Sequence, residues 1–217
     1  DRYLGGVIHK EAILGSIGQV AFQFVGQGEV AANQCRELLE NDATFAATLK
    51  RCDKVLLQFL GMSASELLFP GETGRFSPEQ CARMLEETRY SQPVLVALEY
   101  CMGSMWLKRG VWPLVVLGDS LGELAAAAIA GVMTLEEVLR LTCARGRLMH
   151  ECRACEGVMV AVRCDETSVS AAITTAGLES CVAIAAINGE KSLVLSGSAI
   201  AVDKILVTLG DVGYRKL

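Results

Sequence analysis

The sequence has little of what a nucleic-acid-binding or membrane-spanning protein needs. Its 217 residues carry a net charge of −5, and the basic residues are scattered, with no aromatic stripe between them. A protein that binds a phosphate backbone needs a concentrated positive surface, so no nucleic-acid partner is expected. The longest apolar stretch, residues 111–133, is broken by proline, glycine and acidic residues before it reaches membrane-spanning length. No signal peptide is visible, so no membrane insertion is expected.

The cysteines lack the even number and regular spacing of a disulfide framework. Nine of them are spread from Cys35 to Cys181, which indicates free, mostly buried thiols in a reducing compartment such as the cytoplasm. Cys152 and Cys155 have the CxxC spacing of some metal and redox sites, but no second pair completes four zinc ligands. The favoured interpretation is a pair of cysteines at a helix end, and no bound metal or cofactor is expected.

The pattern of apolar runs predicts an α/β fold built on a mostly parallel sheet. In the first two thirds of the chain, two short runs that end at glycine predict buried strands, and two longer runs predict helices. The strands are residues 20–24 and 114–117, and the helices are residues 44–60 and 93–108, the second of them apolar nearly all round. Capping boxes at residues 77–80 and 134–137 predict the starts of two more helices.

After residue 157 the predicted elements become shorter and follow a different order. Their β-α-β-β-α-β succession is that of a split βαβ, or ferredoxin-like, unit. The six elements are residues 158–162, 167–175, 182–188, 192–196, 199–209 and 214–217. The predicted division is an N-terminal extension over residues 1–17, a large α/β subdomain over residues 18–155, and a small subdomain over residues 156–217. Because the chain begins at Asp1 and not at methionine, it is expected to be a piece of a longer protein.

A short motif after the second predicted strand carries the candidate chemistry. Gly118, Ser120 and Gly122 form a GxSxG pattern, which exposes a reactive serine on a tight turn where a strand and a helix crowd together. At such a helix N-terminus, the backbone N–H of Leu121 and the positive end of the helix dipole would face a developing oxyanion. Ser120 is therefore the candidate nucleophile. The alternative is a tight glycine turn with no catalytic role.

Five stretches of the chain resemble, in order and spacing, the motifs of malonyl-type acyltransferase domains from polyketide and fatty-acid synthases. They are GDSLGE at residues 118–123 for the family's GHSxGE, FVGQG at 24–28 for FPGQG, YSQP at 90–93 for YxQP, RGRLM at 145–149 for RGxxM, and AAIN with VLSG at 185–197 for AxxN…VxSG. The resemblance covers nearly all of residues 18–217. It implies an α/β-hydrolase-like large subdomain and a ferredoxin-like small subdomain, with the C-terminal part of the large subdomain missing from this chain.

The resemblance implies a two-step acyl transfer. Ser120 would attack the thioester carbonyl of an acyl-coenzyme A, and a phosphopantetheine thiol on an acyl carrier protein would then collect the acyl group. Backbone N–H groups that correspond to those of Leu121 and Gln27 form the family's oxyanion hole. No bound cofactor is implied, since coenzyme A enters as part of the substrate. The expected partners are the acyl carrier protein and the neighbouring domains of the synthase.

The resemblance also gives roles to three side chains. Arg145 corresponds to the arginine that forms a bidentate pair with the free carboxylate of a malonyl or methylmalonyl group. Without the resemblance, Arg145 would be interpreted as an ordinary surface residue late in a helix. Gln92 and Asn188 correspond to positions near the family's site, although both could equally be structural capping residues. Leu121 favours malonyl weakly, and no other motif distinguishes the two acyl groups.

The sequence departs from the family's motifs close to the nucleophile. Asp119 stands where the family has histidine. An ionised carboxylate there would oppose both a serine alkoxide and an anionic malonyl group, unless the side chain points away from the pocket. Val25 replaces the proline of FPGQG, but the glycines on both sides of Gln27 remain, so its backbone could still serve.

The base that would activate the serine is not evident in the sequence. The family's catalytic histidine follows the small subdomain, and this chain has only His9 and His150. His150 would lie about 140° around its helix from Arg145, so it is not expected to act as the base. Removing the base of a serine enzyme costs roughly 10⁴- to 10⁶-fold in rate, so slow turnover is expected of the chain alone. Two other functions stay open, a non-catalytic scaffold or carrier-docking domain and a serine hydrolase; the hydrolase leaves Arg145 without a role.

Overall fold

The computed structural model describes residues 19–28, 30–71, 74–152 and 157–216. The chain divides into two compact units, residues 1–150 and 151–217, each with its own hydrophobic core. The subdomain boundary predicted between residues 155 and 156 lies five residues further along the chain. The predicted N-terminal extension, residues 1–17, lies outside the described residues.

The first unit is built from two strands and seven helices in its described part. In chain order they are β1 (Ala21–Phe24), α1 (Arg36–Asn41), α2 (Ala43–Phe59), α3 (Ala64–Leu68), α4 (Pro78–Leu85), α5 (Thr88–Lys108), β2 (Val115–Gly118), α6 (Gly122–Ile129) and α7 (Leu135–Glu151). The two strands pair in parallel, with Phe22 opposite Val116 and Phe24 opposite Gly118. This register brings the ends of β1 and β2 together, as expected for parallel strands in an α/β sheet.

Helix α5 lies at the centre of the first unit's core. It packs against α2, whose buried face includes Phe45, Leu49, Cys52 and Leu56, the helical spacing that the sequence predicts. The predicted start of α5 at Pro93 is wrong, because the helix begins five residues earlier, at Thr88. The turn before the proline is closed locally, since the N–H groups of residues 90 and 91 both donate to the carbonyl of Glu87. No helix among the described residues is both long and apolar enough to cross a membrane.

The prediction that both strands are buried is wrong for β1 and for β2, since Ala21 and Gln23 of β1 are exposed as well. Leu114, Val115 and Leu117 are 63%, 46% and 55% exposed, whereas Val116 is partly buried against the core. Successive side chains of a strand point to opposite faces, so a strand covered on one face buries only every second residue. In the described part of this sheet β2 has one neighbouring strand, and one of its faces is not covered.

The second unit is an antiparallel sheet with two helices in its described part. Its elements are β3 (Gly157–Val162), α8 (Glu166–Ala176), β4 (Val182–Gly189), β5 (Ser192–Ser198), α9 (Ala199–Leu209) and β6 (Tyr214–Lys216). The strand order is β4-β5-β3-β6, and the pairs are antiparallel. Val160, Leu195, Val202 and Ile205 are fully buried in its separate core. The β-α-β-β-α-β order is the one predicted from the sequence.

Candidate active site

Ser120 lies on the tight turn between β2 and α6. The strand ends at Gly118 and the helix begins at Gly122, so the chain reverses its course within three residues. Ser120 has a φ of 50°, in the left-handed region that non-glycine residues rarely adopt. Such a backbone is strained and persists only where the surrounding structure imposes it, as in the nucleophile turns of α/β enzymes. The result is an exposed serine at the N-terminus of a helix.

The two glycines of the motif are required by close backbone contacts. A Cβ at Gly118 would overlap the backbone of Gly122 and Glu123, the first residues of α6. A Cβ at Gly122 would lie 2.5 Å from the carbonyl oxygens of both Phe24 and Val25, at the end of β1. The glycines therefore allow β1, β2 and α6 to meet at one point. The sequence predicts this crowding of strand and helix at the GxSxG turn.

A chain of hydrogen bonds joins Ser120 to three other residues singled out from the sequence. Arg145 Nη2 lies 3.4 Å from Ser120 Oγ, and Arg145 Nη1 donates to Gln92 Oε1 at 2.7 Å. Gln92 Nε2 in turn donates to Gln27 Oε1 at 2.8 Å and lies 3.2 Å from Met149 Sδ. An arginine only donates, so it fixes which end of the Gln92 amide faces it. Four residues that are far apart in sequence thus form one polar cluster around the serine hydroxyl.

The position of Arg145 depends on a close approach of α7 to the start of α5. A Cβ at Gly146 would lie 2.6 Å from the carbonyl oxygen of Thr88, so a larger residue there would separate the two helices. The Thr88 hydroxyl also donates to the Gly146 carbonyl at 3.2 Å. Gln92, which receives the Arg145 hydrogen bond, is fully buried one turn later in α5. The guanidinium is therefore held by a rigid core helix, with its other N–H groups directed towards Ser120.

Two backbone N–H groups are candidates for an oxyanion hole. Leu121 precedes α6, and its side chain is fully buried in the core, which anchors the turn that carries its N–H. Within the described ranges, neither the Leu121 N–H nor the Gln27 N–H donates a hydrogen bond to the protein. The N-terminal end of α6 adds a partial positive charge at the same turn. Both groups are free to bind an anionic oxygen.

Asp119 lies beside the nucleophile and against the glycine turn after β1. A Cβ at Gly26 would lie 2.8 Å from Asp119 Oδ2, which places this carboxylate directly over Gly26. The Asp119 N–H donates to the Phe24 carbonyl at 3.1 Å and ties the two turns together. The carboxylate is thus neighbour to both the serine and the turn that carries Gln27. A negative charge here acts against anion binding at the site.

The remaining candidates lie elsewhere or outside the described residues. His150 Nε2 is 3.6 Å from Glu87 Oε2, and none of the described contacts joins it to Ser120. Asn188 is an exposed residue of β4, in the second unit. His9 and Cys155 fall outside the described residues, and Cys152 is exposed just after α7. Among the described side chains, no group of three or more histidine, cysteine or acidic residues is placed to hold a metal ion.

Sequence reasoning missed Glu99, a buried carboxyl of α5. Its side chain is 3% exposed, and Glu99 Oε1 accepts a hydrogen bond from the Val25 N–H at 2.9 Å. Burial raises the pKa of this carboxyl to about 7, and the hydrogen bond from Val25 opposes that shift in part. The signal in the sequence is a lone acidic residue within a helix that is otherwise apolar nearly all round, seven residues after Gln92.

Comparison with known proteins supplies the family. The model of the acyl transferase domain matches residues 21–217 of this chain. The chain belongs to the acyl transferase domain family. It is 38% identical over 188 residues to the PKS-NRPS hybrid synthetase acdB of Aspergillus candidus, which is 87% of this chain and 7% of that protein. It is 37% identical over 216 residues to the polyketide synthase GfsB of Streptomyces halstedii, which is 99% of this chain and 4% of that protein.

Solved acyltransferases share the fold. The acyltransferase domain from the second module of the salinomycin polyketide synthase is 38% identical, with a TM-score of 0.76 over 92% of this chain and 44% of that one. A malonyl CoA-acyl carrier protein transacylase from Clostridium perfringens is 27% identical, with a TM-score of 0.78 over 92% of this chain and 60% of that one. The chain thus spans less than two thirds of these solved structures and less than a tenth of the two synthases.

Proposed function

We propose that this chain carries the nucleophile of an acyltransferase that moves malonyl or methylmalonyl groups from coenzyme A to an acyl carrier protein. Ser120 Oγ attacks the thioester carbonyl, the C–S bond breaks, and coenzyme A leaves as the thiol with the proton that the serine gave up. The phosphopantetheine thiol of the carrier then attacks the serine ester in the same way, and Ser120 regains its proton. The products are an acyl thioester on the carrier and free enzyme.

The contact of Arg145 with Ser120 carries the proposal. A malonyl group has its carboxylate two bonds from the carbonyl carbon that reacts, so a cation is needed close to the nucleophile. The guanidinium of Arg145 is 3.4 Å from Ser120 Oγ, and Gln92 fixes its orientation from the opposite side. A planar guanidinium that is held in this way can bind a carboxylate through two parallel hydrogen bonds. A hydrolase of neutral esters would have no use for this arrangement.

The same proposal gives roles to two backbone N–H groups, to a proton acceptor and to the partners of the reaction. The N–H groups of Leu121 and Gln27 would bind the oxyanion of the tetrahedral intermediate, supported by the N-terminus of α6. We assign the proton acceptor to the histidine that this family carries after its small subdomain, since His150 faces Glu87. The partners would be coenzyme A thioesters, the carrier protein and neighbouring synthase domains, and no bound cofactor enters. The two units would correspond to hydrolase-like and ferredoxin-like subdomains.

A non-catalytic scaffold or carrier-docking domain is the second candidate, and Asp119 favours it. The carboxylate over Gly26 adds a negative charge next to both the nucleophile and one proposed oxyanion donor. Two unit charges about 4 Å apart at a protein surface repel by up to about 4 kcal/mol, which is enough to slow an anionic step strongly. A domain that retained the fold but lost the reaction would tolerate such a residue.

The three functions separate in one discharge experiment on the protein at its full natural length. After loading with radiolabelled malonyl-CoA, the labelled protein is divided between buffer alone and buffer with a phosphopantetheinylated carrier protein. A transferase keeps its label in buffer and passes it to the carrier within the dead time of manual mixing. A hydrolase releases free malonate in both samples. A folded protein that never takes up label contradicts the proposal and supports the scaffold.

A further inference from the structure

Helix α5 carries three buried polar side chains, and two of them lie on one face. Gln92 is 0% exposed and Glu99 is 3% exposed, whereas most other buried residues of this helix are apolar. Residues seven apart are about two turns apart in an α-helix and lie on the same side. A buried polar group costs free energy unless it makes hydrogen bonds, so each of these residues needs a partner.

Both side chains find that partner in the same three-residue segment after β1. Glu99 Oε1 accepts a hydrogen bond from the Val25 N–H at 2.9 Å, at the start of the segment. Gln92 Nε2 donates to Gln27 Oε1 at 2.8 Å, at its end. Helix α5 therefore holds the Val25–Gln27 segment at both ends, once through the backbone and once through a side chain.

This segment also lies against the turn that carries the nucleophile. The carbonyls of Phe24 and Val25 lie against Gly122, where a Cβ would come within 2.5 Å of both. The backbone of Val25 is thus held on two sides, with its N–H facing α5 and its carbonyl facing the start of α6. A shift of this backbone would move Gln27 relative to Ser120.

The second oxygen of Glu99 makes the arrangement unusual. Glu99 Oε2 is buried and makes no hydrogen bond to any described residue. No charged group contributes to the raised pKa of Glu99, and the hydrogen bond from Val25 is the interaction that opposes it. A carboxyl at this position therefore costs stability, and a role in holding Val25 gives a reason for its presence.

We propose that Glu99 is a positioning residue, which holds the Val25–Gln27 segment against α5 so that the Gln27 N–H stays in place beside Ser120. The proposal rests on the proposed function, in which that N–H binds the oxyanion. None of the described hydrogen bonds joins Glu99 to Ser120 or Arg145. Glu99 affects the reaction through the position of the Val25 backbone. Its substitution should therefore change the rate of acylation more than the affinity for the substrate.

Two substitutions separate the acceptor from the volume of the side chain. Glu99→Leu keeps the size and removes the acceptor for the Val25 N–H. Glu99→Gln keeps an oxygen that can accept the same hydrogen bond and removes the ionisable proton. Met105→Ala is the matched control, since Met105 is a buried residue of the same helix with no described hydrogen bond to the segment, and its truncation lowers stability through lost packing.

The variants are compared in the protein at its full natural length by two measurements. Hydrogen exchange followed by mass spectrometry reports on the Val25 amide, whose N–H donates to Glu99, and rapid-mixing acylation by malonyl-CoA gives the rate per titrated site. Glu99→Leu should exchange this amide at least tenfold faster and acylate roughly ten- to a hundredfold more slowly at saturating substrate, with KM changed by less than about threefold. Glu99→Gln should restore both, and Met105→Ala should change neither.

The outcomes distinguish this proposal from the proposed function. If the wild-type protein is not acylated, the proposed function fails, and hydrogen exchange alone then decides whether Glu99 holds the segment. Unchanged exchange at the Val25 amide in Glu99→Leu overturns the positioning role. So does a Glu99→Gln variant that behaves like Glu99→Leu, or an acylation loss in Met105→Ala equal to that of Glu99→Leu.

Discussion

At the scale of single residues, the site depends on how Arg145 is oriented. Its guanidinium gives one hydrogen bond to the buried amide of Gln92 and directs a second nitrogen to Ser120. Because Gln92 is fully buried and also bonded to Gln27, it cannot turn to follow a misplaced cation. The charge of Arg145 matters less than its planar geometry, which a lysine does not reproduce.

Arg145→Lys should therefore reduce acylation by malonyl-CoA while leaving the fold intact. A hydrogen bond to a charged group is worth about 1.5–3 kcal/mol, so kcat/KM should fall roughly ten- to a hundredfold. Acylation by acetyl-CoA, which has no carboxylate, should change by less than about threefold. Arg140→Lys is the control on the same helix, because Arg140 stacks over Phe59 and has no contact in the site. An unchanged ratio of malonyl to acetyl acylation in Arg145→Lys would contradict this role.

Asp119 acts at the same scale but in the opposite sense. Asp119→Asn keeps the shape of the side chain and removes the negative charge over Gly26, so acylation by malonyl-CoA should become about three- to tenfold faster. The gain should shrink at high ionic strength, since salt screens exposed charges. The measurement is the acylation rate at low and high salt, beside Glu136→Gln, which makes the same change of net charge on the exposed start of α7. An equal gain in both variants would mean that Asp119 has no local effect.

At the scale of elements, α5 both stabilises the first unit and fixes the geometry of the candidate site. Twelve of its residues are buried, and two of its buried polar side chains, Gln92 and Glu99, hold the segment after β1. The same buried position raises the pKa of Glu99 to about 7. The folded protein thus binds this proton more tightly than the unfolded chain does, which links the stability of α5 to pH.

The stability of the wild type should fall relative to Glu99→Gln as pH rises. The raised pKa of Glu99 gives a stabilisation that is complete below about pH 4.5 and is lost as the pH passes through about 7. A shift of this size corresponds to about 3 kcal/mol between the two limits. Urea unfolding of both proteins between pH 5 and 8 measures the difference, which isolates Glu99 from other titrating groups. Parallel stability curves over that range would show that Glu99 does not titrate there.

At the scale of the whole molecule, local signals were predictable and tertiary effects were not. The capping boxes at residues 77–80 and 134–137 rest on side chains three positions apart, and both are confirmed. The helical face of α2 also follows from spacing alone. The exposure of β2 and the early start of α5 depend on what lies next to them in space, which the local sequence does not contain.

In the candidate site too, the local motif was predictable from the sequence and the long-range contacts were not. Gly118, Ser120 and Gly122 lie within five positions of the sequence, so the GxSxG pattern predicts their turn and the reason for both glycines. The meeting of Arg145 with Gln92 is a contact across 53 positions that only a family resemblance suggested. Glu99 was missed because its partner is a backbone N–H, and a backbone group leaves no mark in the sequence.

The open face of β2 predicts how residues 1–217 behave in solution when they are produced alone. Leu114, Val115 and Leu117 are all exposed on one short segment, and clustered apolar surface of this kind binds dyes and promotes association. Leu117→Lys should lower the fluorescence of a bound hydrophobic dye and reduce light scattering. Val207→Lys is the control, since Val207 is 81% exposed on α9 without such neighbours and should change little. Equal effects of the two substitutions would show that β2 presents no special surface.

The most direct test of the account is to identify the residue that takes up malonyl. The protein at its full natural length, its Ser120→Ala variant and its Arg145→Lys variant are incubated with malonyl-CoA and examined by intact mass and peptide mass spectrometry. The account predicts one malonyl group on the wild type, located on the peptide that contains Ser120, none on Ser120→Ala and little on Arg145→Lys. A malonyl group that persists in Ser120→Ala, or a folded wild type that takes up none, would contradict it.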